Sequence, residues 1–564
     1  MSDSNANNQQ RGAAQRARGK HAASSELGAR SSPRSAKRRE AKHPKERGAT
    51  PRTSSPLLAF PEVDLETVID CYRKDEWGDA LLFARLFEGR CVYDYRERSW
   101  YLWQGHYWKP DDTRRVRQLV AGPLASVYLK AAAELTDRLG KQADENSQRD
   151  EEDERRSPRQ LIKGMVGRAF ALRSLNRNRH VLEFAMTDHR LTLATERWDT
   201  DPWLLGTRDG VLDLRTGHLR DGTPQDYVRT IIPTAWRGID EQAPRFEAFL
   251  REVFADRQET ERAALIAFLQ RALGYGMTGK VTEHIFLVLF GQDGRNGKDT
   301  LVGTLQEVLG GIVGAVSNDV ILSSGRPSAP GAAKPHLCSL QGKRIAWASE
   351  TDRGARFDVA QVKFLTGGGT IPARQVYGKE YTFEPSHLLL LLTNHKPQAD
   401  AKDKAFWERF CPLTFRVRFI DCPSGPLERK RERELGTVLR SEASGILAWL
   451  VRGCLAWQQG GLEIPAGVLR ERALYQGEED KLHPFIAACC VLAPGASVKS
   501  AQLYERYERW ADDSNPGQRL SATTFGLEMK RRFRQQRNNR GTYYLGIELL
   551  RPAPHVYTKP EPSP

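Results

Sequence analysis

The stretch IFLVLFGQDGRNGKDTLVGTL, residues 285–305, decides how the centre of the chain is organised. It opens with an uninterrupted apolar run, which is typical of a fully buried strand. The residues that follow from 299 to 311, DTLVGTLQEVLGG, predict a helix that ends on glycines. A glycine-rich loop between a strand and a helix directs backbone amides and a helix N-terminus at an anion. We therefore predict a phosphate-binding loop in this stretch.

This loop carries the candidate nucleotide contacts. Its glycines let the backbone approach phosphate oxygens, and Lys298 adds a point charge for the β- and γ-phosphates. Asp299 stands where a Ser or Thr hydroxyl normally meets magnesium, and the opening glycine lies further upstream than usual. Since a carboxylate is a competent magnesium ligand, Asp299 is a candidate ligand and Thr300 is the alternative. A lysine-tipped turn that opens a surface helix is the non-functional interpretation. The predicted nucleotide-binding residues are Gly291, Gly294, Asn296, Gly297, Lys298, Asp299 and Thr300.

Polar and charged side chains also follow the next predicted strands. GKRIAWASETD (342–352) reaches Glu350, whose carboxylate suits the polarisation of water and the binding of magnesium. HLLLLLTNHKP (387–397) ends at Asn394, a candidate for orienting the attacking water, and KAFWERF (404–410) offers Arg409 as an arginine finger. Because short apolar strands alternate with helices over 281–420, we predict an α/β layer with a parallel sheet.

A hairpin is predicted between the second and third of these strands. TGGGTIPARQVYGKEYTFEP (366–385) has a strand-like pattern on either side of a turn at Gly378. Arg374 and Lys379 supply the positive charge that a DNA backbone needs. The hairpin is therefore a candidate contact for single-stranded DNA.

Four segments together resemble a known family. GQDGRNGKDT, RIAWASETD, QVKFLTGGGTIPARQVY and LLLLLTNHKP are similar to the motifs of superfamily 3 helicases, closest to the phage and plasmid primase–helicase branch with its poxvirus-type helicase module. The resemblance covers roughly 245–425 and extends upstream through DPWLLGTRDGVLDLRTGHL. It implies a modified AAA+ core that forms a hexameric ring, hydrolyses ATP with Mg²⁺ and translocates on single-stranded DNA.

The resemblance also implies a role for each matching residue. Lys298 would bind phosphate, Glu350 would be the Walker-B carboxylate and Asn394 the sensor. Arg409 would reach a neighbouring subunit's ATP, and the hairpin would line the central channel. The chain departs from the family at Asp299, at Ser349, where many AAA+ proteins have a further acid, and at Gly369, where the family's extra motif usually has an acid. Asp299 would then supply the acid that position 349 lacks, and an ATPase that binds without turnover is the alternative.

The C-terminal region predicts a second DNA-binding element. SATTFGLEMKRRFRQQR (521–537) reads as a helix capped by Ser521, with an apolar stripe and a basic remaining surface. Two helices before it and a hairpin in NRGTYYLGIEL (539–549) resemble a winged helix. A solvated basic helix face is the alternative. The candidate DNA-binding residues on it are Lys530, Arg531 and Arg534.

Composition limits the remaining possibilities. The 564 residues carry a net charge of +15, and residues 1–50 hold 12 Lys/Arg against 4 Asp/Glu, which predicts a disordered tail that either solubilises the chain or tethers nucleic acid. The eight cysteines lack any C-x-x-C spacing, which favours a reducing, cytoplasmic location, and no apolar run is long enough to span a membrane. Two local expectations are a charged loop over 141–159 and a helix that Gly274 and Gly276 close.

Together these features predict a multidomain α/β protein that acts as an ATP-dependent DNA helicase in phage- or plasmid-type replication. Its expected partners are single-stranded and duplex DNA, further copies of the chain in a homo-hexamer, and a separate primase or other replisome proteins. The alternatives are a non-hydrolysing ATP-binding initiator or scaffold and a primase-associated protein. The predicted segments are a disordered basic tail (1–56), an α+β N-terminal domain (57–240), an AAA+-type P-loop NTPase core (241–425), a helical connector (426–479), a winged-helix-like domain (480–550) and a disordered tail (551–564).

Overall fold

The computed structural model describes residues 60–145, 152–194, 197–323, 334–349, 354–374, 378–480, 482–514 and 519–550. The predicted tails at 1–56 and 551–564 lie outside these ranges, and so does Glu350. Within the described ranges, no helix combines the length and the apolar character that crossing a bilayer requires.

The N-terminal part combines helices with two small sheets. Its helices are α1 (Leu65–Arg73), α2 (Asp75–Phe87), α3 (Val116–Leu119), α4 (Ala125–Glu145), α5 (Glu152–Ala171) and α6 (Leu175–Ala185), and a π-helical turn links α3 to α4. Its strands are β1 (Cys91–Asp94), β2 (Ser99–Trp103), β3 (Trp108–Pro110), β4 (Thr192–Leu193), β5 (Leu204–Gly206), β6 (Val211–Asp213) and β7 (His218–Arg220). The first sheet has the order β3-β2-β1-β4, and β5, β6 and β7 form an antiparallel sheet with tight turns.

The charged segment 141–159 is not a loop over its whole length. Helix α4 continues to Glu145 and helix α5 already begins at Glu152, so the predicted loop was wrong at both ends. Tyr128 of α4 and Met165 of α5 are buried in the same apolar core. Two helices that share a core can continue beyond it through charged turns, because Glu, Gln, Lys and Arg all favour helices.

The central part contains the predicted parallel sheet. Its helices are α7 (Pro244–Val253), α8 (Glu259–Met277), α9 (Lys298–Leu309), α10 (Pro335–Cys338), α11 (Val359–Leu365) and α12 (Lys404–Arg409). Its strands are β8 (Phe286–Phe290), β9 (Val313–Ala315), β10 (Ile345–Ser349), β11 (Ile371–Arg374), β12 (Glu380–Phe383), β13 (Leu388–Thr393) and β14 (Phe410–Thr414). Five of these strands run parallel in the order β14-β8-β13-β10-β9.

Both faces of this sheet are covered, which explains its continuous apolar strands. In β8, Leu287 and Leu289 face one apolar core, whereas Phe286 and Val288 face another. The register places the carboxyl ends together, because Thr393 of β13 and Thr414 of β14 both pair with Phe290. Side chains that follow neighbouring strands therefore meet at one edge of the sheet.

Gly274 and Gly276 do not end the helix that contains them, contrary to expectation, since α8 continues to Met277. A Cβ atom on Gly274 would lie 2.2 Å from the backbone nitrogen of Cys454. Gly274 therefore permits close contact with a helix further along the chain instead of capping α8.

The C-terminal part begins with two short paired strands, continues with three helices and ends in a small α/β unit. The helices are α13 (Leu435–Ser441), α14 (Ala443–Gly460), α15 (Ala466–Glu479), α16 (His483–Cys489), α17 (Ser500–Ser514) and α18 (Ala522–Arg532). The strands are β15 (Arg418–Ile420), β16 (Glu428–Lys430), β17 (Cys490–Lys499), β18 (Gln535–Asn538) and β19 (Gly541–Leu549). The last three strands form an antiparallel sheet in the order β17-β19-β18.

The last helix is shorter than the sequence predicts. Ser521 caps α18 as expected, since its side chain accepts a hydrogen bond from the Thr524 amide, but the helix ends at Arg532. Phe533 is extended and packs against the apolar core of this unit, which turns the chain into β18. Arg534 therefore lies beside a strand and not on the helix.

Candidate nucleotide-binding site and DNA-binding surfaces

The predicted phosphate loop, residues 291–297, connects β8 to α9. The Gly291 amide donates to the Thr393 carbonyl over 3.0 Å, so the loop starts at the carboxyl edge of the sheet. Gly297 has a φ of +88°, a backbone conformation that residues other than glycine rarely adopt. A Cβ atom there would lie 2.9 Å from Cγ2 of Val253. The backbone can take this path only because glycine occupies the position before α9.

Lys298 is buried at the first turn of α9. Its ammonium donates to Oδ1 of Asn394 over 2.9 Å, and to Oδ1 of Asn296 and the Gly291 carbonyl over 3.2 Å each. All three acceptors are neutral oxygens. Burial lowers the pKa of Lys298, and the nearby charge of Asp299 opposes that shift. A buried cation with neutral acceptors is a strong site for an anion, because an anionic partner would offset its desolvation.

Asn394 reaches this lysine because β13 lies beside β8 in the sheet. The strand order also places β13 between β8 and β10, so Asn394 stands between Lys298 and the end of β10. Ser349, the last residue of β10, pairs with Leu392 at the same edge. Glu350 comes next in the chain but lies outside the described residues, so its predicted role stays a prediction.

The predicted magnesium ligands in the loop are accessible. Asp299 is exposed and Thr300 is half-buried, and both line the same cavity. Carboxylate and hydroxyl oxygens are the ligands that Mg²⁺ prefers, so these residues fit the ion. When bound, the ion would neutralise charge on the phosphates.

Arg409 lies away from the loop. It ends α12 just before β14, and the first residue of β14, Phe410, pairs with Phe286 at the opposite end of β8 from the loop. Its guanidinium donates to the Ala405 carbonyl over 2.6 Å. Since β8 and β14 are each five residues long, about 13 Å of strand separates Arg409 from the phosphate-loop edge. Arg409 is therefore too distant to contact a nucleotide bound at the loop of the same subunit.

A cavity of about 810 Å³ adjoins the start of α9, and sequence reasoning missed most of its walls. Gly297, Asp299 and Thr300 form one side. Helix α7 contributes to a second side, and residues 429–433 to a third. The run ERKRER at 428–433 was the available signal, because clustered basic residues suggest anion binding, but the sequence does not place this run beside the loop. Further lining residues are Arg245, Phe249, Glu252, Arg295, Phe419 and Leu435.

The predicted hairpin is present. Strands β11 and β12 pair antiparallel, with Arg374 opposite Glu380, and both Arg374 and Lys379 are exposed. The guanidinium of Arg96, from the turn between β1 and β2, lies 4.5 Å from the ring centre of Tyr381 in β12. The hairpin thus contacts the N-terminal sheet through Tyr381, while Arg374 and Lys379 remain exposed to solvent.

The predicted basic residues of the C-terminal unit are also exposed. Lys530 and Arg531 lie in the last turn of α18, and Arg534 follows it. Arg531 pairs with Glu528 over 2.8 Å, and Glu528 also accepts from Lys402 of the central part over 3.1 Å. The helix is therefore joined to the central part on one side while its basic end faces solvent.

A family model matches one part of the chain. Residues 80–255 match the family described as "D5 N terminal like". This range begins in α2 and ends just after α7, so it reaches one wall of the cavity and stops before the phosphate loop. The structure is that of a multidomain α/β protein, and this part of the chain is similar to the D5 N terminal like family.

Proteins of large DNA viruses are similar over longer stretches. "Putative helicase L207/L206" of Acanthamoeba polyphaga mimivirus is 24% identical over 441 residues, which cover 74% of this chain and 43% of that protein. "Putative helicase 121R" of Invertebrate iridescent virus 3 is 22% identical over 381 residues, which cover 63% and 39%. "Putative primase C962R" of African swine fever virus is 22% identical over 334 residues, which cover 55% and 33%. The resemblance to the primase–helicase family is confirmed, although the chain spans less than half the length of these relatives.

A solved structure, the apo C terminal region (305-718) of NrS-1, shows only a slight likeness. It covers 63% of this chain and 75% of its own length at 13% identity, with a TM-score of 0.37. That overlap is too low to define a shared fold.

Proposed function

We propose that this chain is an ATP-dependent DNA helicase of superfamily 3 that assembles into a hexameric ring and translocates on single-stranded DNA during replication of a phage- or plasmid-type genome. The observation that supports it most is Lys298, whose buried ammonium donates to three neutral oxygens at the carboxyl edge of a parallel sheet, among the residues that the structure describes. A triphosphate would give this ammonium an anionic partner, and the loop amides would bind its oxygens.

In this proposal each residue at the sheet edge has one task. The Lys298 ammonium gives up its hydrogen bond to Asn394 and pairs with the β- and γ-phosphates. The Asn394 amide is then free to orient the attacking water. Asp299 or Thr300, together with Glu350, holds Mg²⁺, which supplies charge neutralisation of the phosphates. The catalytic set is therefore Glu350, Asn394 and Arg409, with Arg409 contributed by a neighbouring subunit.

DNA would meet the chain at two places. The exposed Arg374 and Lys379 of the hairpin would contact the phosphates of single-stranded DNA inside the ring. The C-terminal unit, in which α16, β17, α17, α18, β18 and β19 follow one another, would act as a winged helix on duplex DNA through Lys530, Arg531 and Arg534. Both sets are exposed and basic, as phosphate contacts require.

A primase-associated role is a second candidate, because one group of relatives bears the name "Putative primase C962R". It would make this chain the unwinding partner of a primer-synthesising domain or protein. An ATP-binding initiator or scaffold without turnover is the non-enzymatic alternative.

The decisive experiment compares the purified chain with Lys298→Ala for ATP hydrolysis and strand separation, with and without single-stranded DNA. The proposal expects DNA-stimulated hydrolysis and unwinding by the unmodified chain, and background turnover by Lys298→Ala with an unchanged circular-dichroism spectrum. Equal turnover in the two proteins would reject the site. ATP binding without hydrolysis would favour the initiator, and template-dependent primer synthesis in the presence of a partner would favour the primase-associated role.

A further inference from the structure

The cavity beside α9 is more basic than a phosphate loop alone requires. Six basic and three acidic side chains line it. Two of the acids, Glu252 and Glu432, pair with the same cation, Arg245, over 3.2 and 2.7 Å. The six cations and three carboxylates give the lining a net charge of +3, and one of the cations, Arg433, also lies 3.9 Å from Asp421 outside the cavity. A ligand for this cavity is therefore strongly anionic.

Most of this charge comes from residues 429–433, here called the basic strap. Its cations are Arg429, Lys430, Arg431 and Arg433, and its one acid, Glu432, is occupied by Arg245 through two hydrogen bonds of 2.7 and 3.0 Å. Lys430 and Arg431 are exposed, so their charges are available to a ligand.

The backbone holds the basic strap close to the phosphate loop. The Phe419 amide in β15 donates to the Arg295 carbonyl of the loop over 2.9 Å. Strand β15 in turn pairs with β16, and the Arg431 amide donates to the Ile420 carbonyl over 2.9 Å. One strand pairing thus separates the strap from the loop. The Arg245–Glu432 ion pair fastens the strap from the other side to α7.

The size and the walls of the cavity identify the class of ligand. Its volume of about 810 Å³ falls within the range of roughly 300–1,000 Å³ for small-molecule sites, and is far too small for a nucleic-acid duplex. Phe249, Phe419 and Leu435 add apolar surface next to the cations. Apolar surface beside a polycationic wall and a phosphate loop fits a nucleoside polyphosphate.

We infer that the basic strap is a nucleotide-binding element, in which Lys430 and Arg431 contact the polyphosphate from the strap's side of the cavity. This inference rests on the proposed nucleotide site and adds a second set of phosphate contacts to it. It also explains how Asp299 is tolerated beside a triphosphate, because strap cations offset its charge even before a metal ion binds.

The test is equilibrium binding of N-methylanthraniloyl-ATP to the full chain without DNA, at low and high salt, with ATP and adenosine as competitors. Lys430→Ala/Arg431→Ala should bind ATP about tenfold more weakly than the unmodified chain, as expected when charge-assisted hydrogen bonds are lost. Its affinity should depend less on salt, and its affinity for adenosine should be unchanged. Arg537→Ala/Arg540→Ala removes the same charge from exposed positions of the C-terminal unit and should leave ATP binding unaltered.

Each result decides something. If the unmodified chain binds ATP and the strap variant binds it equally well, the strap inference is wrong and the nucleotide site stands. If both charge-removing pairs weaken binding alike, the effect is one of net charge and the strap has no specific contact. If the unmodified chain does not bind ATP, both the inference and the proposed function are rejected.

Discussion

Asp299 is the residue in which this loop differs most from a common phosphate loop. It occupies the first turn of α9, is exposed to the cavity, and lies directly after the buried Lys298. A carboxylate at a helix N-terminus is stabilised by the helix dipole, but beside a triphosphate it needs a counter-charge. Magnesium and the cations of the cavity are both suited to supply this counter-charge. A role for Asp299 in binding magnesium leads to the following prediction.

If Asp299 binds the ion, Asp299→Ala should raise the magnesium concentration for half-maximal ATP turnover several-fold, and Asp299→Ser should recover part of the loss. ATP affinity without metal should hold or improve, since a repulsive charge leaves. Thr300→Ala is the matched variant and should be nearly silent. Magnesium titrations of ATPase activity decide between the two residues, and a silent Asp299→Ala with a damaging Thr300→Ala would assign the ion to Thr300.

The burial of His387 leads to a prediction about how the stability of the fold depends on pH. It precedes β13, is only 3% exposed, and burial lowers its pKa from 6.5 to about 4. The folded state therefore keeps the ring neutral at pH values at which the unfolded chain is already protonated. Stability should be full above pH 6.5 and should decrease as the pH falls towards 4, by about 3 kcal/mol in total.

Denaturant unfolding across this pH range measures the effect. His387→Phe should flatten the dependence, because no titrating group then remains at that position. His483→Phe changes an exposed histidine and should keep the slope of the unmodified chain. An unchanged slope in His387→Phe would show that other groups control the acid response.

At the scale of elements, the contact between α8 and α14 depends on glycines, which have no side chain to hold the two backbones apart. A Cβ atom on Gly453 of α14 would lie 2.1 Å from the Gln270 carbonyl oxygen of α8, and Gly274 of α8 meets α14 equally closely. Both helices contribute to the apolar core beneath the parallel sheet, with Phe268 and Leu450 among its members. The helices can approach to backbone contact only at these glycines.

Gly453→Ala and Gly274→Ala should each therefore lower the free energy of unfolding by about 1–3 kcal/mol or more, because the backbones cannot separate without loosening this core. Gly303→Ala is the control, since Gly303 lies within α9 and a Cβ atom there meets nothing within 4 Å. It should stabilise the chain by up to about 1 kcal/mol through helix propensity. Chemical denaturation of the three variants tests the contact, and equal effects at all three glycines would contradict it.

At the scale of the whole molecule, the sheet separates two predicted functions. The phosphate loop and Asn394 lie at its carboxyl edge, whereas Arg409 lies near its amino edge. A single subunit therefore presents the predicted nucleotide site and Arg409 at different surfaces. Such an arrangement suits a closed ring in which one subunit's arginine meets the next subunit's nucleotide.

Mixing Arg409→Ala with Lys298→Ala subunits tests this arrangement. Each variant alone should be inactive, but a mixed ring should regain part of its ATPase activity, because an intact loop can face an intact arginine across one interface. Rings that contain only one of the two variants, at the same total protein concentration, are the control. Mixed rings that form, as shown by differently tagged subunits, yet recover no activity at any ratio would argue against an arginine finger acting between subunits.

The sequence alone determined the local elements of the central part and its family. Uninterrupted apolar runs predicted β8 and β13, and the glycines on either side of 299–309 predicted the loop before α9 and the end of that helix. It also predicted the hairpin, the Ser521 cap and the basic end of α18, all of which depend on neighbours in the chain. The roles of Glu350, Asn394 and Arg409 stay predictions.

Only the tertiary structure decided what comes together across long separations. The strand order brings Asn394 within 2.9 Å of Lys298, and backbone pairing brings the basic strap to the phosphate loop. It also showed that Gly274 serves helix contact, and that Phe533 ends α18 by joining an apolar core. A linear pattern records which side chains are apolar, charged or flexible, but the partner that each one meets is set by the packing of distant elements. That packing depends on the whole chain at once.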